Sequence, residues 1–292
     1  MPSCADLIDE ASAQLHGYGG TSDRLTPLSN TITAGATSFT VDFAFGQAVG
    51  ITPGVVEIDS EQLYVIAVDQ ATGVCTLADG FGRGYNGTDP APHTAGAKVI
   101  SRPRFPRLWM FKQINEIISS VYPELFAVNR YSTTVKWPSN TYTLPITPPM
   151  SVIDAQWQDP IGNWHKCPSY TIDPYDGSFR LGDGAMIGRP LRILYATQPS
   201  AFTDESDDMS ITGLPDSCSD VLTLGAVAKL VPGLDISRAQ LSSVEQSDRS
   251  RVVPPNAGIT AAKYLMAEFQ DRLHNEAVSL RRQYKSRLVR VF

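Results

Sequence analysis

Residues 57–65 read EIDSEQLYV and residues 82–88 read GRGYNGT. Around these two segments, apolar and polar residues alternate in short runs, and turn-forming pairs such as Asp59-Ser60 and Thr72-Gly73 separate the runs. Alternation with a period of two is typical of β-strands that bury one face. The sequence therefore predicts a β-module around these segments, and a similar pattern further along the chain predicts a second one.

Four other segments carry apolar residues at helical spacing, over residues 3–15, 105–123, 221–231 and 260–288. The third is almost wholly apolar, which is typical of a central, buried helix. A weaker helix is predicted for residues 235–246. We expect an α+β fold in which the N-terminal helix, two mid-chain helices and the long C-terminal helix form a helical core that carries two inserted antiparallel β-modules.

The expected organisation has six consecutive parts. They are the N-terminal helix of the core (1–27), the first β-module (28–102), a core helix (103–128), the second, sandwich-like β-module (129–200), an acidic loop with core helices (201–258), and the long C-terminal helix with a basic tail (259–292).

Composition narrows the class of protein. The chain has 292 residues and a formal net charge of −6, which disfavours tight, sequence-independent binding of nucleic acid. The first residues lack the basic start and apolar stretch of a signal peptide, and no apolar run approaches the roughly 20 residues of a membrane span. The four cysteines are far apart in the sequence, so we interpret them as free, buried thiols of a protein assembled in a reducing cytosol.

Motifs for catalysis are missing from the sequence. The glycine-rich stretch at 82–88 lacks the lysine of a phosphate-binding loop, and no Gly-x-Ser-x-Gly elbow occurs. The histidines are isolated, and the carboxylate pair Asp173 and Asp176 lies among turn-forming residues. We expect no enzymatic activity, no catalytic residue, no cofactor and no metal ligand.

Charge is unevenly distributed in the last third of the chain. Residues 201–220 contain six acidic residues and no basic one, whereas basic residues crowd the C-terminus. The acidic loop is either solvated or lines a channel, where it would repel DNA. The basic end is a solvated helix terminus, a docking site for an acidic partner, or a contact for passing DNA. Residues 288–292 (LVRVF) alternate like a strand, which favours a partner whose sheet they could extend.

The segment RGYNGT at 83–88, followed by His93 and by AGAKV at 95–99, resembles a segment common in structural proteins of tailed bacteriophages. Residues 57–65 belong to the same pattern. We expect a glycine-punctuated loop that packs across the preceding hairpin, with Tyr85 as a core anchor. The order of elements along most of the chain is similar to that of actinobacteriophage head-to-tail adaptors.

This resemblance implies a structural protein of the virion neck that is assembled in the host cytoplasm and docks below the portal as a dodecameric ring around the DNA exit channel. The implied partners are other copies of the chain, the portal protein, a downstream neck or tail-tube protein, and genomic DNA in transient, non-specific passage; no membrane is involved. Portal binding is implied for Arg281, Arg282, Lys285, Arg287, Arg290, Val291 and Phe292. Channel lining is expected for Asp204, Glu205, Asp207 and Asp208.

The alternative is a minor tail or baseplate protein that binds host envelope glycan, because the same motif also occurs in tail-associated proteins. In that case Trp137, Trp157 and Trp164 would stack on sugar rings.

Overall fold

The computed structural model describes residues 1–19, 23–43, 50–136, 139–145, 151–173, 178–182, 184–232 and 257–284. The chain divides into two compact units. The first unit comprises residues 10–113, and the second comprises residues 1–9 together with 114–292.

The first unit is built around one antiparallel sheet of six strands in the order β1-β6-β3-β4-β5-β2. The strands are β1 (Arg24–Pro27), β2 (Ser38–Thr40), β3 (Gly54–Ile58), β4 (Glu61–Val68), β5 (Val74–Leu77) and β6 (Lys98–Ser101). Helix α1 (Cys4–Gly19) precedes the sheet, a 3-10 turn (Tyr85–Gly87) lies between β5 and β6, and helix α2 (Arg107–Ser120) follows.

This sheet closes on itself. Its two outer strands meet at the bridge between Leu28 and Val41, where the Ser29 N–H donates to Thr40 O and the Asp42 N–H donates to Pro27 O. The interior is filled by apolar side chains that alternate along the strands, because every second residue of a strand points to the same face. They are Leu28, Ile32, Phe39, Val41, Ile51, Val56, Ile58, Leu63, Val65, Cys75, Leu77 and Val99.

The second unit contains two antiparallel sheets that share one core. The four-stranded sheet has the order β10-β9-β13-β7, and the three-stranded sheet has the order β11-β12-β8. The strands are β7 (Ala127–Thr134), β8 (Thr141–Thr143), β9 (Ser151–Gln158), β10 (Trp164–Lys166), β11 (Tyr170–Ile172), β12 (Ser178–Leu181) and β13 (Pro190–Thr197). Between the sheets, Phe179 packs against Tyr142 and Tyr170, alongside Leu191 and Ile193.

Two further helices belong to the second unit. Helix α3 (Ser219–Leu230) follows short 3-10 turns at Met209–Thr212 and Asp216–Cys218, and helix α4 (Ala257–Gln283) is the last described element. Seven of the twelve residues of α3 are buried and only Asp220 is exposed, whereas α4 buries one stripe. That stripe consists of Leu265, Phe269, Ala277 and Leu280.

The expectation of a helical core that carries two inserted β-modules is wrong. The described residues are mostly β, with thirteen strands in three antiparallel sheets and four α-helices. The physical reason is that the apolar faces of the sheets are not buried against helices. The first sheet encloses its own interior, and the other two cover each other's apolar faces. The helix predicted at 235–246 lies outside the described residues.

Within the described ranges, no helix combines the length and the apolar character that crossing a bilayer requires.

Candidate functional site

The RGYNGT loop lies across the hairpin formed by β3 and β4. The contacts between the loop and the hairpin centre on the carboxylate of Glu61. Glu61 is the first residue of β4, and its side chain is 1% exposed. Position 61 shares a strand face with Leu63 and Val65, which point into the core. The fold therefore directs a charged group into the interior, where it needs partners.

Arg83 is the main partner of Glu61. Its Nε and Nη2 atoms each lie 2.7 Å from a different carboxylate oxygen, which is the two-pronged geometry that guanidinium and carboxylate groups form best. The same guanidinium also donates to the carbonyls of Thr33 and Ala91. Arg83 thus ties together the hairpin, the segment before β2 and the segment before β6.

Backbone donors complete the coordination of Glu61. The N–H groups of Gly84 and Ala91 each donate to it at 3.0 Å. Burial by itself raises the pKa of Glu61, but the hydrogen bonds from Arg83, Ala91, Gly84 and His93 outweigh it and lower the pKa from 4.5 to about 2. The carboxylate is therefore ionised at neutral pH.

His93 lies between two carboxylates and is 2% exposed. Its Nδ1 is 2.8 Å from Asp59 Oδ2, and its Nε2 is 2.9 Å from Glu61 Oε2. A ring nitrogen that carries a proton can donate it to the carboxylate that it faces. Together, Asp59, Glu61, Arg83 and His93 form what we call the Glu61 clamp.

The rest of the motif holds the loop against β4. The side-chain amide of Asn86 donates to Gln62 Oε1 at 2.8 Å, and the Gln62 N–H donates to Thr88 Oγ1 at 3.0 Å. Gly84 has a φ of 61°, and a Cβ at this position would lie 2.7 Å from the carbonyl oxygen of Thr88. A glycine is therefore required here both by the backbone conformation and by the close approach of the chain.

Tyr85 is not the core anchor that the sequence suggests. It is half-buried and packs on the outside of the sheet against Tyr64 and Phe81, with ring centroids 5.1 and 6.5 Å away. Phe81 is 54% exposed, and Ile66, two residues after Tyr64 on β4, is also exposed. The motif therefore presents an apolar, largely aromatic patch on the surface of the first unit.

The acidic loop meets the start of helix α1. The N–H groups of Cys4 and Ala5 each donate at 2.8 Å, to the carbonyls of Asp207 and Glu205 respectively. Ser3 forms a bridge with Asp208, and its hydroxyl exchanges hydrogen bonds with Asp6 in the manner of a capping box. The loop thus supplies acceptors for helix donors that have no partner inside the helix.

The four predicted channel residues differ in what their carboxylates do. Asp207 accepts hydrogen bonds from the N–H and the hydroxyl of Thr203 and from the N–H of Asp204. These bonds lower the pKa of Asp207, and the bond from Asp204 has the largest effect. Asp204 accepts the Ser206 N–H, which lowers the Asp204 pKa. Glu205 is half-buried. Asp208 is exposed, and its carboxylate accepts no hydrogen bond from a described residue.

Two of the predicted portal-binding residues are described. Arg281 and Arg282 are exposed in the last turn of α4, where positive charge complements the helix dipole. The other five lie outside the described residues: Lys285, Arg287, Arg290, Val291 and Phe292.

Of the three tryptophans predicted to stack on sugar rings, the two that are described do not form a shared platform. Trp157 on β9 lies on the inner side of its sheet and packs against His165 and the core. Trp164 pairs with Gln158, the residue next to Trp157, so its side chain points to the opposite face of the sheet. On that face the Arg192 guanidinium lies 4.0 Å from the centroid of the Trp164 ring. Trp137 lies outside the described residues.

Other candidate chemistry is limited in the described part of the chain. All four cysteines are buried and none of them forms a disulfide, as predicted, and burial raises the pKa of Cys75 and of Cys167 to about 11. No set of three or more histidine, cysteine, aspartate or glutamate side chains among the described residues is arranged to hold a metal ion. Of the pair Asp173 and Asp176, the second lies outside the described residues.

The sequence pattern does not predict the role of Glu61, although one signal is present in it. A glutamate stands at a position where the alternation with Leu63 and Val65 requires an inward-facing residue. An arginine that follows in a glycine-rich loop is a natural partner for such a group.

Neither a comparison with protein-family models nor one with curated proteins finds a match for this chain.

Proposed function

We propose that this chain is a structural virion protein of a tailed bacteriophage, a head-to-tail adaptor whose copies form a ring below the portal and line the DNA exit channel. The observation that carries the proposal is the Glu61 clamp. The residues on which the resemblance rests, from Glu61 and Gln62 through Arg83 to His93, act as one interlocked set. Because these residues contact one another and hold one loop in place, they indicate a shared structural module more strongly than the sequence motif alone does.

Helix α4 supports the assignment of its basic end to the portal. The helix has 27 residues, so it is about 40 Å long, and it buries one side only. Arg281 and Arg282 are exposed at its end and available to an acidic surface. We assign Lys285, Arg287, Arg290, Val291 and Phe292 to the same contact. The virion neck is then the site of action, after assembly in the host cytoplasm.

The acidic loop supports the assignment to a channel. Hydrogen bonds keep the pKa of Asp204 and Asp207 below the ordinary value, so both stay ionised at neutral pH. Copies arranged in a ring would present a negative collar made of these residues with Glu205 and Asp208. Such a surface repels the phosphate backbone and lets DNA pass without sticking. A neck or tail-tube protein would bind the opposite end of the ring.

The test is a mass measurement on the purified chain mixed with the portal ring of its phage. We expect the intact chain to add the mass of about one ring, and a chain without residues 281–292 to add none. The sharper variant is the double reversal Arg281→Glu with Arg282→Glu. Its matched control is Lys263→Glu with Arg272→Glu, which makes the same change of charge at exposed positions on the same helix.

The proposal requires the control to bind and the terminal reversal to lose binding, more so at low salt. A chain that stays monomeric alone does not contradict it, because a portal can offset the cost of ordering that a single subunit pair cannot. Failure of the intact chain to bind the portal would overturn the adaptor proposal and favour a tail protein.

A further inference from the structure

Among the described strands, the outer edge of β7 is left without a partner strand. β7 has eight residues and pairs with β13 along its whole length without a bulge. No other described strand pairs with it, since β7 is last in the order β10-β9-β13-β7.

The pairing of β7 with β13 defines which backbone N–H and C=O groups of β7 point away from β13. The Val135 N–H donates to Arg189 O and its carbonyl accepts the Gly188 N–H, so Val135 faces the β13 side. In an antiparallel pair every second residue makes these bonds, and the residues between them point their N–H and C=O groups away. The outward residues are therefore Val128, Arg130, Ser132 and Thr134. Thr134 stands opposite Pro190, which has no N–H to donate.

β7 differs from every other edge among the described strands. The six-stranded sheet closes on itself at Leu28 and Val41, and the other edge strands, β8, β10 and β11, have three residues each. Long, regular edges invite another strand, and proteins normally shorten, cover or distort them. Within β7 there is no proline and no lysine, and no described residue covers its edge by backbone pairing.

We infer that this edge binds the C-terminal segment Leu288–Phe292 of a second copy of the chain as a fifth strand. The segment reads LVRVF: it lacks glycine and proline, and Val289, Val291 and Phe292 are residue types that favour strands. Its five residues are enough to pair with most of the seven residues from Val128 to Thr134. Strand addition of this kind uses backbone hydrogen bonds for affinity and leaves side chains free.

The contact joins two different surfaces of the same chain. Such a heterologous contact can pass from copy to copy and close into a ring. It does not depend on the portal, because it needs only copies of this chain. It is also compatible with portal binding by residues 281–292, since a strand paired through its backbone still presents the side chains of Arg290, Val291 and Phe292.

The experiment uses two differently tagged full-length chains, one of which carries a photoreactive benzoyl group on the ring of Phe292. Irradiation of the mixture should produce a cross-linked dimer with the adduct on residues 127–134 of the other tagged copy. Ser132→Pro in that copy removes one outward N–H and spares the bonds to β13, so the cross-link yield should fall about tenfold. Ser132→Ala keeps the N–H and should leave the yield unchanged.

Circular dichroism of the Ser132→Pro chain shows whether it folds. If it does not, Arg130→Pro, which removes another outward N–H, takes its place. An adduct within the same copy, an adduct away from β7, or equal yields with folded proline and alanine variants would each overturn the inference. Portal binding could still be intact in any of these cases, so the two proposals fail separately.

Discussion

The guanidinium of Arg83 donates from Nε and Nη2 to the two carboxylate oxygens of Glu61, each at 2.7 Å, and the two side chains are 11% and 1% exposed. A buried ion pair of this kind adds little net stability compared with an apolar pair. Breaking it is costly, because the remaining charge has no partner. The pair therefore explains why the loop needs an arginine at its start.

Glu61→Gln should destabilise the first unit by about 3 kcal/mol, because it leaves the Arg83 guanidinium buried without a counter-charge. The measurement is hydrogen exchange of peptides from β3 and β4, which reports the opening free energy of this unit by itself. Arg24→Gln, an exposed change on β1 of the same sheet, is the control and should have little effect. Unchanged protection of β3 and β4 in Glu61→Gln would show that the pair is dispensable.

Stability of the first unit should also depend on acid. The folded pKa of Glu61 is about 2 and its ordinary value is 4.5, so the carboxylate stabilises the fold fully above pH 4.5. This contribution falls progressively as the pH drops from 4.5 towards 2, because the unfolded state then binds a proton that the folded state does not. Thermal melting of the wild type and of Glu61→Gln at pH 6, 4.5 and 3 tests this.

The expected result is a difference in melting temperature between the two proteins that is constant down to about pH 4.5 and shrinks at pH 3. Other carboxylates change both proteins alike, so the difference isolates Glu61. A gap that stays the same, or widens, at pH 3 would mean that Glu61 is not held ionised by the clamp.

Local patterns in the sequence predict most elements of this fold, but not how they assemble. The alternation at Val74–Leu77 predicts the strand found there as β5, and the stripe from Leu7 to Leu15 falls within α1. Such patterns report which face is buried and not what covers it. The expectation of a helical core fails for this reason. The closure of the first sheet at Leu28 and Val41 is a tertiary contact that no local period encodes.

The same limit applies to the sites. Composition reveals that residues 201–220 are acidic, but the contact of Asp207 with Cys4 joins residues about two hundred positions apart. The burial of Glu61 could be predicted, because position 61 lies on the same strand face as the apolar residues Leu63 and Val65. Its partners could not be named, since they depend on how the loop returns over the hairpin.

Asp207→Ala should destabilise the second unit, because its carboxylate holds three donors of the acidic loop in place. The loop in turn caps the first turn of α1 through its backbone carbonyls. Asp208→Ala is the matched control: it removes the same charge next in sequence, but its carboxylate accepts no hydrogen bond from a described residue. Urea unfolding followed by tryptophan fluorescence compares the two. Equal stability of both variants would mean that the acidic loop contributes charge alone.

Gly225 lies in the middle of α3, where a Cβ would be 2.8 Å from the Phe269 ring and 3.0 Å from Ile117. On an exposed helix, Gly→Ala stabilises by about 1 kcal/mol. Here we expect Gly225→Ala to destabilise by about 1–3 kcal/mol, because the added methyl group overpacks the contact between α3 and α4. Phe269→Leu should relieve the clash, so the double variant should be more stable than the sum of the single effects predicts. Urea unfolding of the wild type, both single variants and the double variant measures this coupling. Additive effects would show that α4 does not press on Gly225.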